Sequence, residues 1–150
     1  MVIKRVPFKD YLFVTVHVLL FIAYFLPLCL LNIQLPEWLC YSGLVLMVLS
    51  ISFGIIALLQ LNTKLSPFPS PVTSGTLITK GAYRISRHPI YTALIFSGLG
   101  YALYQSSFYK ILITFFILIL FYFKSIYEEK LLAKKFPEYR DYKRITRRFM

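Results

Sequence analysis

Two stretches of the chain carry side chains suited to binding and activating a ligand. The first is Gly81-Ala82-Tyr83-Arg84-Ile85-Ser86-Arg87-His88-Pro89-Ile90-Tyr91. The second is Glu128-Glu129, followed by Leu132, Phe136, Tyr139 and Tyr142. Pro89 suits the first position of a helix, where no N–H partner is needed. The free N–H groups of such a first turn, with Arg87 and His88 beside them, form an anion site. The carboxylate pair accepts from hydroxyls or amines, and the tyrosine faces attract cations. A cationic wall opposite a carboxylate wall therefore suits a ligand with an anionic group, hydroxyls and a positive centre. The same residues have plainer readings. Arg84 and Arg87 serve equally as charges anchoring a helix end at a membrane surface. Glu128 has Lys124 four residues before it as an ion-pair partner, and Tyr91 fits an interfacial aromatic.

The elements that position these residues follow from charge and hydropathy. Of 150 residues, 58% are hydrophobic and 15% charged, and the mean hydropathy is +0.67. A soluble globule of this composition would expose too much apolar surface. Uncharged runs cover 11–36, 38–63, 88–109 and 111–123, and about 20 apolar residues cross a bilayer. The expected fold is an all-α integral membrane domain occupying 1–150. Four transmembrane helices are expected, near 11–31, 38–61, 88–105 and 108–127, with Lys110 and Lys124 snorkelling to opposite interfaces. Sixteen of the 17 Lys and Arg fall before the first span, between the second and third, or after the fourth. Only Lys110 lies on the other side, so both termini and the central segment are expected in the cytoplasm. Pro27 is expected to kink the first span or mark its outer end. The segment 62–87, with Pro67, Pro69 and Pro71 alternating, reads as extended chain. Pro137 is expected to interrupt the fourth helix where it continues beyond the membrane. An amphipathic segment then follows from about Glu138.

These assignments also exclude functions. The net charge of +11 is accounted for by topology, and no nucleic-acid partner is expected. Cys29 and Cys40 form no ligand pattern with histidine, so they read as apolar filler and no metal is expected. Gly98-Leu99-Gly100 lacks the third glycine of a dinucleotide fingerprint and follows no strand. It reads as close helix packing. His17 within the first span is either a functional group or packed against a neighbouring helix.

At this point the two blocks are recognisable. The stretch 77–91, ending Gly81-x-Tyr83-Arg84-x-x-Arg87-His88-Pro89-x-Tyr91, resembles the signature of the isoprenylcysteine carboxyl methyltransferase family and of the related phospholipid N-methyltransferases. Glu128-Glu129-x-x-Leu132-x-x-x-Phe136 with Tyr139 and Tyr142, within 128–145, resembles the second block of that family. The resemblance implies a membrane methyltransferase using S-adenosylmethionine, whose carboxylate, ribose diol and sulfonium match the ligand deduced above. It implies a cofactor site at the cytoplasmic face and a lipid-like or isoprenoid-bearing acceptor entering from the bilayer. The membrane would be a bacterial inner membrane or the endoplasmic reticulum. Carried over by position, Gly81, Tyr83, Arg87, His88, Pro89, Tyr91, Glu128 and Glu129 line the cofactor site, with Arg87, His88 and Glu129 as the catalytic set. Phe136, Tyr139 and Tyr142 would supply an aromatic lid. Ala93 stands where family members often carry glycine, and Pro137 where a glycine often follows the phenylalanine. A carboxylate acceptor needs no general base, whereas an amine or thiol does, with His88 or a glutamate as candidate. Two other readings are open. A nicotinamide-dependent membrane reductase of the sterol type would place an acid soon after Tyr91, where Thr92, Ala93 and Leu94 stand. A non-catalytic scaffold or transport subunit would bind no cofactor.

Overall fold

The computed structural model describes residues 7–27, 32–61 and 77–150. Among them are six helices and no strand: α1 (Phe8–Phe25), α2 (Glu37–Leu61), α3 (Ala82–Ile85), α4 (Pro89–Tyr104), α5 (Phe108–Lys135) and α6 (Tyr139–Ile145). Local chemistry sets their ends. Asp10 and Glu37 lie in the first turns of α1 and α2, where the helix dipole favours a carboxylate. Leu26, the residue before Pro27, is extended and closes α1, because the proline ring disfavours the helical region there. Pro27 thus marks the end of α1 rather than a kink within it. Pro89 is the first residue of α4. The Ser107 side chain caps α5 by accepting the Lys110 N–H. At its other end α5 stops just before Pro137, and α6 begins two residues beyond that proline.

The hairpin of α4 and α5 is the centre of the molecule. α2 packs along α4, and α1 packs along α5. Small residues let α2 and α4 approach closely: a Cβ at Gly100 would lie 2.5 Å from the Gly43 carbonyl oxygen, and one at Gly54 2.9 Å from the Ala93 Cβ. The glycine pattern of 98–100 therefore serves packing, chiefly through Gly100. α1 is tied to the hairpin by the Tyr24 hydroxyl, which donates to the Gly98 carbonyl at 2.6 Å, and by the Tyr109 hydroxyl on the Ala23 carbonyl at 2.7 Å. Ile95, Ile117 and Phe121 form the small core. His17 packs edge-on against Phe21 and Phe121, with ring centroids 4.6 and 5.0 Å apart. That is the packing alternative for this histidine.

α1, α2 and α5 are long and apolar enough to cross a membrane. Their outer faces expose large apolar side chains such as Leu19, Val45, Leu49, Leu59, Phe115 and Phe123, as lipid-facing helices do. The third expected span, near 88–105, is shorter: α4 has 16 residues, about 24 Å of rise against about 30 Å of hydrocarbon. α5 has 28 residues, about 42 Å, so its last two turns extend past the 108–127 span. Lys124 departs from its expected position. It does not snorkel outward but is only 3% exposed, with Nζ 5.4 Å from the centre of the Tyr91 ring. The alternating prolines 67, 69 and 71 and Cys29 lie outside the described residues. The Cys40 thiol is 3.3 Å from the Ser106 hydroxyl, in the turn region at the opposite end from the polar blocks.

Candidate functional site

The first block is held by the end of α2. Gly81 adopts φ +62°, and a Cβ there would fall on the Gln60 side chain. Only a glycine takes this backbone without strain and lets Gln60 approach. The Gln60 amide oxygen then accepts the Ala82 N–H at 2.9 Å, fixing the start of α3. After that single turn the chain extends through Ser86, which is fully buried. Its hydroxyl donates to the Arg148 carbonyl at 2.9 Å and lies 3.1 Å from the Thr92 hydroxyl. Arg87 and His88 follow, and Pro89 turns the chain into α4. The His88 ring stacks on Tyr91 with centroids 5.3 Å apart and 2° between planes. Tyr91 in turn stacks on Phe121 of α5 at 4.6 Å. This column of rings joins the first block to the helix that carries the second.

The two carboxylates have unlike environments. Glu128 receives the Tyr91 hydroxyl on Oε2 at 2.9 Å, and His88 Nδ1 stands 3.7 Å from the same oxygen. Its side chain is 25% exposed. Glu129 is 3% exposed and gathers three cationic side chains and a histidine. Arg87 reaches Oε1 through Nε at 3.1 Å and Nη2 at 3.0 Å. Arg148 bridges both oxygens, Nε to Oε1 at 2.9 Å and Nη2 to Oε2 at 3.0 Å. Lys143 Nζ is 3.2 Å from Oε2, and His88 Nε2 is 3.5 Å from Oε1. That last distance is too long for an ordinary hydrogen bond. His88 Nε2 is accordingly buried and has no hydrogen-bond partner among the described residues.

Electrostatics follow the geometry. Burial pushes the Glu129 carboxyl up, but the proximity of His88, the hydrogen bonds of Arg148 and the charges of Arg87 and Arg148 outweigh it and hold the group well below the usual carboxylate range. The hydrogen bond to Glu129 is also the main cause that raises Arg148. Burial pushes the Tyr142 phenol up to about 12 against the opposing charge of Arg87. Tyr83 is raised by burial first and then by the negative charge of Glu128. At neutral pH both phenols are therefore hydrogen-bond donors. The Tyr142 hydroxyl donates to the Tyr83 carbonyl.

Of the residues expected from the sequence, Arg87, His88, Tyr91, Glu128 and Glu129 meet in this cluster. Pro89 is fully buried beneath it. Gly81 and Tyr83 stand at its edge, joined to it through Gln60 and Tyr142. Tyr139 and Tyr142 are buried at 1% and 5% exposure, so they form the wall on which Tyr83 rests more than a loose lid. Arg84 is exposed and makes no contact with the cluster. The anion site expected at the start of α4 is partly filled by the chain itself. The Arg87 N–H donates to the Arg147 carbonyl at 2.8 Å and the His88 N–H to the Arg148 carbonyl at 3.2 Å. Gln60, Lys143 and Arg148 were not singled out in the sequence. Gln60 is a lone amide at the polar end of an apolar helix. The two cations are indistinguishable in sequence from the other basic residues of the tail.

The group set fits S-adenosylmethionine on two observations. The open side of Glu128 can accept a hydroxyl or an amine, and the buried, unbonded His88 Nε2 lies beside a column of aromatic faces. The family model described as phospholipid methyltransferase matches residues 38–139. No curated protein matches the chain. The matched stretch runs from α2 to the first residue of α6. It contains the first block and the second as far as Tyr139, and leaves α1 and residues 140–150, Tyr142 among them, outside.

Proposed function

Because the chain belongs to the phospholipid methyltransferase family, we propose that it transfers a methyl group from S-adenosylmethionine to a lipid-borne amine at the cytoplasmic face of a membrane. The observation that carries this reading is the meeting of the two blocks at the polar end of the α4–α5 hairpin. Arg87, His88 and Tyr91 there face Glu128 and Glu129. S-adenosylmethionine, when bound, supplies an electrophilic methyl group on a sulfonium. The remaining tasks belong to the chain. Glu128 accepts from hydroxyls or an amine on its open side. Arg87, fixed by Glu129 and by the Lys143 and Thr146 carbonyls at 2.9 and 2.6 Å, contributes positive charge that holds a carboxylate in place. The stacked rings of His88, Tyr91 and Phe121 supply aromatic surface and exclude water. Holding donor and acceptor in line accounts for most of the acceleration in such transfers.

The amine is favoured over a carboxylate acceptor by His88. An ammonium must lose a proton before its nitrogen attacks, and Nε2 is a buried ring nitrogen with no hydrogen bond of its own. Neutral His88 takes that proton, and Glu129 at 3.5 Å stabilises the resulting imidazolium. Carboxyl methylation would leave this nitrogen without a task. The acceptor reaches the site laterally along the exposed apolar face of α5, which carries Ile119, Tyr122 and Phe123.

Calorimetry of detergent-purified protein with S-adenosylmethionine and S-adenosylhomocysteine tests the cofactor. Binding that Glu128→Gln weakens supports it, and absence of binding in a folded wild type overturns it. His88→Ala tests the acceptor: at saturating S-adenosylmethionine it is expected to lose at least a hundredfold in turnover, with partial recovery as pH rises and the amine deprotonates unaided. Turnover unaffected by His88→Ala would exclude the proton-transfer role.

A further inference from the structure

The last five residues do more than end the chain. Thr146 closes α6 in an extended conformation, and residues 146–148 then run beside 86–88 as a short parallel bridge between Ser86 and Arg147. The contacts are polar and reach the centre of the site. The Arg147 and Arg148 carbonyls take the Arg87 and His88 N–H groups. The Thr146 carbonyl takes Arg87 Nη1, and Ser86 donates to the Arg148 carbonyl. Arg148 then lays its guanidinium across both oxygens of Glu129. Phe149 packs against the small core, and Met150 is exposed.

This arrangement conflicts with ligand binding at Glu129. A carboxylate offers about four acceptor positions. Arg87 and Arg148 each make two contacts with Glu129, and Lys143 makes another. No position is left for a ribose hydroxyl or an amine. One cation must therefore leave before a ligand can use Glu129. Lys143 is 52% exposed, but its departure alone still leaves four contacts from the two arginines. Of these, Arg87 is 8% exposed and fixed between α3 and α4, whereas Arg148 is 22% exposed and sits in a non-helical segment. Arg148 also has a second support, with its guanidinium carbon 5.1 Å from the Tyr122 ring centre. We propose that residues 146–150 form a removable strap, and that Arg148 competes with the cofactor for Glu129. The proposal rests on the cofactor reading above, and it makes Arg148 a residue that sets cofactor affinity from outside the family-matched stretch.

The test is calorimetric binding of S-adenosylhomocysteine to wild type and Arg148→Ala, with hydrogen exchange on the wild type alone. Removing a competing charged hydrogen bond is expected to tighten binding about tenfold. Saturating ligand is expected to speed exchange at the Arg87 and His88 amides, which lose their strap carbonyls. Phe149→Ala, which loosens the strap but keeps the guanidinium, is expected to shift affinity in the same direction and serves if Arg148→Ala does not fold. Unchanged or weaker binding in both variants, or slower exchange at those amides, overturns the strap while leaving the cofactor reading intact. Absence of binding in every folded protein overturns both.

Discussion

Replacing Glu129 with glutamine removes one negative charge and leaves three cationic side chains and His88 facing a neutral amide. The size of the effect follows from burial. Glu129 and Arg87 are 3% and 8% exposed and meet at 3.0 Å, so water screens the pair little. Breaking a buried pair from one side costs about 3–5 kcal/mol. For a domain of this size, that is a fall in Tm of roughly 6–20 °C. The internal control is Asp141→Asn. Asp141 meets Arg144 at 3.8 Å with both side chains more than 80% exposed, and such pairs contribute at most about 0.5 kcal/mol. The assay is thermal unfolding in detergent followed by circular dichroism, repeated across pH. The Glu129 carboxyl is held below its ordinary value of 4.5, so its contribution is complete above that pH and is lost as pH falls below it. Wild type is therefore expected to keep its stability from pH 7 to about 5 and to lose it further down. Glu129→Gln is expected to start lower and to show a weaker acid slope. If its melting point lies within a degree or two of Asp141→Asn, the cation cluster does not hold the polar end together, and the reading of Glu129 as its hub is wrong.

Other outcomes follow from the same geometry. Tyr91→Phe keeps the ring column but removes the hydrogen bond to Glu128; cofactor affinity measured by calorimetry is expected to fall about threefold to tenfold. Gly81→Ala forces an unfavourable backbone and a clash with Gln60. A melting curve is expected to show a loss of about 1–3 kcal/mol, which the double variant with Gln60→Ala recovers in part because the strain of positive φ remains. Gly100→Val drives a side chain into the α2 backbone at Gly43 and Met47. Destabilisation of about 1–3 kcal/mol is expected from the same measurement, with a larger loss than for Gly98→Ala, whose Cβ would meet the Thr114 side chain at 3.3 Å and the Tyr24 ring at 3.9 Å.

The parts of this molecule legible in the sequence are those with a period or a fixed local chemistry. Uncharged runs located α2 and α4 to within one residue and the starts of α1 and α5 to within three, whereas α1 ends six residues before the expected 31 and α5 eight residues past the expected 127. Pro27, Pro89 and Pro137 marked ends because a proline ring acts on its immediate neighbours. The meeting of His88 and Tyr91 with Glu128 was legible as well, since a short turn forces the two ends of a hairpin to one face. The inward turn of Lys124 was not. Snorkelling is the default for a lysine near a span end, and the carboxylates of Glu128 and Asp10 together with the Tyr91 ring change that outcome. The unequal roles of Glu128 and Glu129 were also hidden. Adjacent residues on a helix point about 100° apart, and which of them meets the returning tail depends on a segment without periodicity. Arg148 is one of many basic residues in that tail, and no local signal separates it from Arg144 or Arg147.

The hairpin's register explains why the site forms where it does. Tyr91 lies 13 residues before the end of α4 at Tyr104, and Phe121 lies 13 residues after the start of α5 at Phe108. Both are therefore about 20 Å from the turn, and their rings stack at 4.6 Å. The same count sets Pro89, the start of α4, level with Phe123 and His88 level with Lys124, so the two glutamates stand just over one turn beyond His88, where the polar chain joins the helix. α5 must outlast α4 for this to happen, and it does so by 12 residues. A short α4 is thus a structural requirement of the site, whatever its consequence for crossing the bilayer. It ends the apolar packing at Tyr91 and exposes the next turn of α5 to the polar chain arriving from Gly81 and returning from Thr146. Inserting one residue after Phe121 would rotate Glu128 and Glu129 by about 100° while leaving the Tyr91–Phe121 contact in place. The expected result is a folded protein that has lost the Arg87–Glu129 ion pair and its acid-sensitive stability together. If the insertion variant keeps the wild-type acid slope, the depressed carboxyl is not the one that this register places against Arg87.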